Sequence, residues 1–123
     1  MIRRQQQAVD RHQAGQLAET LALAFLKARG LTLLERNFRC RMGEIDLVMR
    51  DGASIVFVEV RLRSPGAYAN AAESIDAHKQ KRIVAAAGFY LAGRAESPCR
   101  FDCVLLEHAH NDSIRWIKSA FDA

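Results

Sequence analysis

Two carboxylates stand inside adjoining apolar runs of this chain: Asp46 in Gly43-Glu-Ile-Asp-Leu-Val-Met49 and Glu59 in Ile55-Val-Phe-Val-Glu-Val-Arg61. Such runs read as strands buried in a sheet, where an unpaired carboxylate is costly. Between them lies Asp51-Gly52, a strong hairpin signal. A two-residue turn sets Asp46 opposite Phe57 and diagonal to Glu59; a four-residue turn sets it opposite Glu59. Either register puts Asp46, Glu59 and Arg61 on one face. Two acids that close repel unless a cation or a proton sits between them. The chemistry this pattern points to is a hard-oxygen site for a divalent cation.

Other charged residues gather meaning around that pair. On a helical wheel Glu19 falls between Leu23 and Leu26, at the margin of an apolar arc, as the single acid between Gln13 and Arg29. It is either a boundary residue reaching solvent or a third carboxylate turned toward the sheet. Lys79, Lys81 and Arg82 lie early in a second helix, where cations oppose the helix dipole and a bound phosphate would offset that cost. Lys79 shares a stripe with Ile75, Ile83 and Tyr90, which directs it to the sheet margin. Asp102, in Arg100-Phe-Asp-Cys-Val-Leu-Leu106, is another acid in an apolar strand: either Arg100 or nearby backbone is its partner, or it belongs to the active site. His108-Ala-His110 has the spacing of two strand ligands but sits in a polar turn. Trp116 and Phe121 read as packing residues, and Ser64 and the cysteines have no base beside them.

The elements that must position these groups follow from patterning. A chain of 123 residues, half apolar and about a quarter charged, fits one globular domain, with residues 1–10 as a frayed start. A helix is expected from His12 to Arg29 with Gly30 as its stop, then a strand from Leu31 to Arg39 and the two hairpin strands. Ser64 to Ala72 is the one long loop. A second helix from Ser74 to Ala92 precedes strands at Arg100–Glu107 and Ile114–Lys118, around a turn at His108–Ser113. The order α-β-β-β-α-β-β describes an α/β fold: a mixed central sheet flanked by helices. The net charge of +4 favours an anionic partner, nucleic acid ahead of a membrane surface. Cys40, Cys99 and Cys103 form no CxxC pair, and the run Leu21–Leu26 is too short to span a bilayer, so the protein reads as cytoplasmic.

Gly43-Glu-Ile-Asp-Leu-Val48, Val56-Phe-Val-Glu-Val-Arg61, Lys79-Gln80 and Arg100-Phe-Asp102 together resemble the YraN family of uncharacterised bacterial proteins. Gly15-x-x-x-Glu19 and Arg36-Asn-Phe-Arg39 match it too, so the resemblance runs from about Gly15 to Phe121. That family in turn resembles the restriction-endonuclease-like nucleases with a D-(x)n-E-x-K signature, archaeal Holliday-junction resolvases among them. The resemblance implies that Asp46 and Glu59 are the catalytic acids and that Glu19 is an auxiliary helix acid. Together they would hold Mg²⁺ or Mn²⁺ for phosphodiester hydrolysis. Lys79 would position a backbone phosphate with Gln80 assisting, and Lys81 and Arg82 would extend the nucleic-acid contact.

The departure is at position 61, where the signature expects lysine and this chain has Arg61. A guanidinium stays charged and cannot act as base, although it can stabilise charge in the transition state. Two readings follow: a metal-dependent nuclease acting on structured or branched DNA, and a catalytically silent nucleic-acid-binding or adaptor protein on a nuclease fold. A resolvase needs two active sites and hence a homodimer, for which the sequence carries no signature.

Overall fold

A computed structural model describes residues 2–63, 75–107 and 114–123. The expected long loop at Ser64–Ala72, the helix start at Ser74 and the turn carrying His108 and His110 lie outside the described residues. The elements are α1 (Ile2–Ala28), β1 (Thr32–Cys40), β2 (Gly43–Asp51), β3 (Ser54–Arg63), α2 (Ala77–Leu91), β4 (Cys99–Glu107) and β5 (Ile114–Phe121). Their order is the α-β-β-β-α-β-β of the sequence reading. No helix among the described residues is long and apolar enough to cross a membrane.

The five strands form one sheet in the order β1-β2-β3-β4-β5. β3 and β4 run parallel, joined by the crossover through α2, and the other neighbours are antiparallel. The inner strands are apolar on both faces because both are covered. On one face Ala18, Ala22 and Leu26, a single helical stripe of α1, pack on Leu47, Met49, Val56, Val58, Val104 and Leu106. On the other, Ile83, Ala86, Ala87 and Tyr90 of α2 pack on Val48, Ile55, Phe57, Phe101 and Leu105. Phe57 stacks on Phe101 at 5.5 Å and meets Tyr90 edge-on at 5.9 Å, which sets α2 against the sheet.

Helix ends follow the local chemistry. α1 stops at Gly30 (φ +95°), where Gly30 N–H donates to the Lys27 carbonyl and Leu31 N–H to the Leu26 carbonyl. Its helical backbone begins at Ile2 rather than at the expected His12, because Arg3-Arg-Gln-Gln-Gln-Ala8 are good helix formers without a breaker. α2 is capped by Asp76, whose Oδ1 accepts from Lys79 N–H at 2.8 Å, so it starts later than patterning suggested. β5 runs past the expected Lys118 to Phe121. A bulge at Ser119 (φ +51°) lets the strand rejoin β4, and Phe121 stacks on Phe101 at 5.1 Å.

Candidate active site

The hairpin resolves the register left open by sequence. Asp51 pairs with Ser54 around Gly52-Ala53, and the ladder continues to Leu47 opposite Val58. Asp46 and Glu59 are therefore the next facing pair, the register expected of the longer turn although the turn itself is two residues. The β2–β3 ladder stops there. β2 continues beside β1, with Ile45 opposite Phe38, and β3 continues beside β4, with Glu59 opposite Cys103. The two central strands thus fork at the acids. Asp46 Oδ2 bridges the opening by accepting from Val60 N–H at 2.8 Å.

Glu59 is buried, with 5% exposure, and hydrogen-bonds the Asp46 carboxyl. Burial, then that bond and the Asp46 charge, push its pKa up to about 9, against the opposing pull of Lys79 and Arg61. The contact between the two carboxyls therefore favours a proton held by the pair. Lys79 Nζ lies 3.5 Å from Glu59 Oε2. That is the sheet-margin position its helical stripe implied, but its charge is directed at an acid. Arg61, two residues beyond Glu59 on β3, is half-buried and close enough to act on it electrostatically.

Glu19 approaches from α1, in a cleft lined also by His12, Gln16, Asn37, Arg39 and Asp46. Its pKa is raised by burial and by the charge of Asp46, with Arg36 and Asn37 opposing. Glu19 Oε1 is buried without a hydrogen bond; its nearest cation, Arg36 Nε, is 3.5 Å away. Arg36 is itself held, donating to the Gln16 carbonyl at 3.2 Å and to Thr20 Oγ1 at 3.0 Å. Among the described residues no three ligating side chains already converge at coordination spacing. The donor set nonetheless suits a hard divalent cation: two carboxyls in contact, with the orphaned Glu19 Oε1 on the helix that lines the same cleft as Asp46.

The remaining expected residues are spread along α2. Lys81 and Arg82 are exposed, and Gln80 donates to the Ile75 carbonyl at 2.8 Å. Arg82 fixes the start of β2 through its backbone: a Cβ on Gly43 would lie 3.0 Å from the Arg82 carbonyl oxygen, so the glycine of Gly43-Glu-Ile-Asp46 lets α2 sit close. Asp102 is far better satisfied. It is fully buried, bound by Arg100 Nε at 3.1 Å to each oxygen, by Trp116 Nε1 at 2.9 Å and by Ser119 N–H at 2.9 Å. Its pairing with Arg100 and backbone matches the sequence expectation and assigns it to structure. Arg36 and Asn37, the neighbours of Glu19, carry one signal in the sequence: a charged and an amide residue in the strand that follows the helix acid.

The chain matches the model of the uncharacterised protein family UPF0102 over residues 18–106. It is 52% identical over 109 residues to a UPF0102 protein of Nitrosomonas europaea, covering 88% of this chain and 92% of that one. A UPF0102 protein of Methylobacillus flagellatus is 49% identical over 111 residues, 90% of this chain and 98% of its own. One from Pseudomonas putida is 49% identical over 114 residues, with coverage of 89% and 93%. The chain belongs to the UPF0102 family, the YraN family of the sequence reading.

Proposed function

We propose that this member of UPF0102 is a metal-dependent nuclease that hydrolyses phosphodiester bonds in structured or branched DNA. The observation that supports it most is the buried contact between the Asp46 and Glu59 carboxyls at the strand fork. An apolar sheet has no structural use for two touching acids, whereas a cation between them removes their repulsion. Mg²⁺ or Mn²⁺ bound by Asp46 and Glu59, with Glu19 acting through water, would polarise the phosphoryl oxygen and acidify a water. Lys79, 42% exposed, neutralises part of the acid charge and reaches solvent where a phosphate would lie. The exposed Lys81 and Arg82 extend the cationic rim. Arg61 stabilises developing charge and cannot accept the proton of the attacking water. The cytoplasm, where thiols such as those of Cys40, Cys99 and Cys103 stay reduced, is the proposed setting, and paired cuts on a branched substrate would require a homodimer.

Arg61 also favours a second reading, in which the chain binds nucleic acid without turnover. Pure protein incubated with labelled linear, flapped and four-way DNA separates the two. The nuclease reading expects cleavage of branched DNA with Mg²⁺ or Mn²⁺, none with EDTA and none with Asp46→Asn. It also expects Arg61→Lys to preserve or raise the rate, since lysine supplies charge and a titratable amine. If wild type and Arg61→Lys both bind DNA yet neither cuts any substrate, the binding reading replaces it.

A further inference from the structure

One residue of edge strand β1 has a backbone that sets it apart. Asn37 adopts φ +56°, a left-handed conformation that most side chains avoid and asparagine tolerates. Its place in the register explains what that conformation does. Arg36 pairs with Leu47 and Phe38 with Ile45, so Asn37 stands across from Asp46. Arg36 and Leu47 face α1: the first bonds Gln16 and Thr20, and the second packs on the Ala18–Leu26 stripe. Phe38 and Ile45 face α2, where Phe38 meets Tyr90 edge-on at 5.2 Å. In a regular strand, residues two apart share a face. Here both strands exchange faces at Asn37 and Asp46 without losing register. The β1–β2 ribbon turns over at that point, where the Asp46 side chain lies at the fork, bound by Val60 N–H. The Asn37 side chain lies near enough to Glu19 to favour its ionised form, and it lines the same cleft as Glu19 and Asp46.

We propose that Asn37 is a positioning residue of the acidic site: its left-handed backbone turns the ribbon so that Asp46 meets Glu59, and its amide holds Glu19 toward them. The proposal rests on the metal-site reading above and adds to it a residue that touches neither phosphate nor the first pair of acids. The two parts are separable by substitution. Asn37→Gly keeps the backbone conformation and deletes the amide, because glycine enters the left-handed region freely. Asn37→Ala deletes the amide and also strains the backbone.

The experiment is a Mn²⁺ titration of wild type, Asn37→Gly, Asn37→Ala and Asp46→Asn by calorimetry, with thermal unfolding of each in EDTA. Asn37→Gly should unfold at the wild-type temperature yet bind Mn²⁺ at least about 10-fold more weakly, the scale of losing a partner that orients a ligand. Asn37→Ala should lose that affinity and also unfold roughly 4 °C lower. Wild-type affinity in Asn37→Gly would overturn the role of the amide, and wild-type affinity in Asn37→Ala as well would overturn the role of the backbone. Wild type that binds Mn²⁺ no better than Asp46→Asn would overturn the metal reading itself, and the positioning role with it.

Discussion

Asp102 and the Asp46–Glu59 pair are both acids in apolar strands of one sheet, yet their surroundings are opposite. Asp102 meets a guanidinium, an indole N–H and a backbone N–H delivered by the Ser119 bulge, so its carboxylate is satisfied within the fold. Across the sheet, Asp46 and Glu59 meet each other, one backbone N–H and one half-exposed lysine. Each acid has a left-handed residue in the neighbouring edge strand. The bulge at Ser119 brings a donor to its acid, whereas the turn at Asn37 brings two acids together. Burial of a carboxylate thus says little by itself; what it is bonded to decides between a structural and a chemical role.

The comparison makes opposite predictions for the two regions, and the largest concerns stability. Asp102→Ala strands the Trp116 Nε1–H and Ser119 N–H and leaves the part-buried Arg100 guanidinium with Asp51 alone, and should lower the unfolding free energy in urea by about 3–5 kcal/mol. Glu59→Gln replaces a carboxyl that shares a proton with Asp46 by a neutral isostere, and should leave the metal-free protein within about 0.5 kcal/mol of wild type at pH 5 and more stable than wild type at pH 8. A large loss in Glu59→Gln would show that the pair is structural after all.

Next in size is a pH dependence confined to the acid pair. The Glu59 pKa is raised to about 9 by burial and by Asp46, so between pH 5 and 9 the folded protein holds a proton that the unfolded chain releases. Metal-free stability should therefore fall as pH rises through that window, by up to about 1.4 kcal/mol per unit. Denaturation curves at pH 6, 7 and 8 in EDTA test this, and Glu59→Gln should flatten the slope.

Much of this contrast was legible in the sequence. Acids in apolar runs, the Asp51-Gly52 hairpin and the Gly30 stop located the strands and both carboxylate regions, and Arg100 beside Asp102 suggested its own partner. The register was not legible, because Asp-Gly fits two turn closures and only cross-strand packing of Val48 on Phe57 and Leu47 on Val58 selects one. The reversal at Asn37 was hidden for a related reason: periodicity assumes that faces alternate, and one left-handed residue breaks that assumption. Lys79 was placed correctly by its stripe, but its ion pair with Glu59 depends on how closely α2 approaches, a distance set by Gly43 and Arg82.

Smaller effects sharpen the functional half of the comparison. Mn²⁺ at 100 times its dissociation constant should stabilise wild type by about 2.7 kcal/mol and leave Asp46→Asn unchanged, read as a shift in the unfolding midpoint. Lys79→Gln should weaken DNA binding by a similar factor across sequences and reduce the salt slope by about one phosphate contact. Altered sequence preference at constant slope would argue against a phosphate role for Lys79.

The central claim is that the strand fork is a cation site, and crystals soaked in Mn²⁺ address it most directly. The anomalous difference map should show one peak within coordination distance of both Asp46 and Glu59 carboxylates, on the side facing Glu19, and that peak should vanish in Asp46→Asn crystals. A map with no peak at the fork, with the two carboxyls still sharing their hydrogen bond, would contradict the claim.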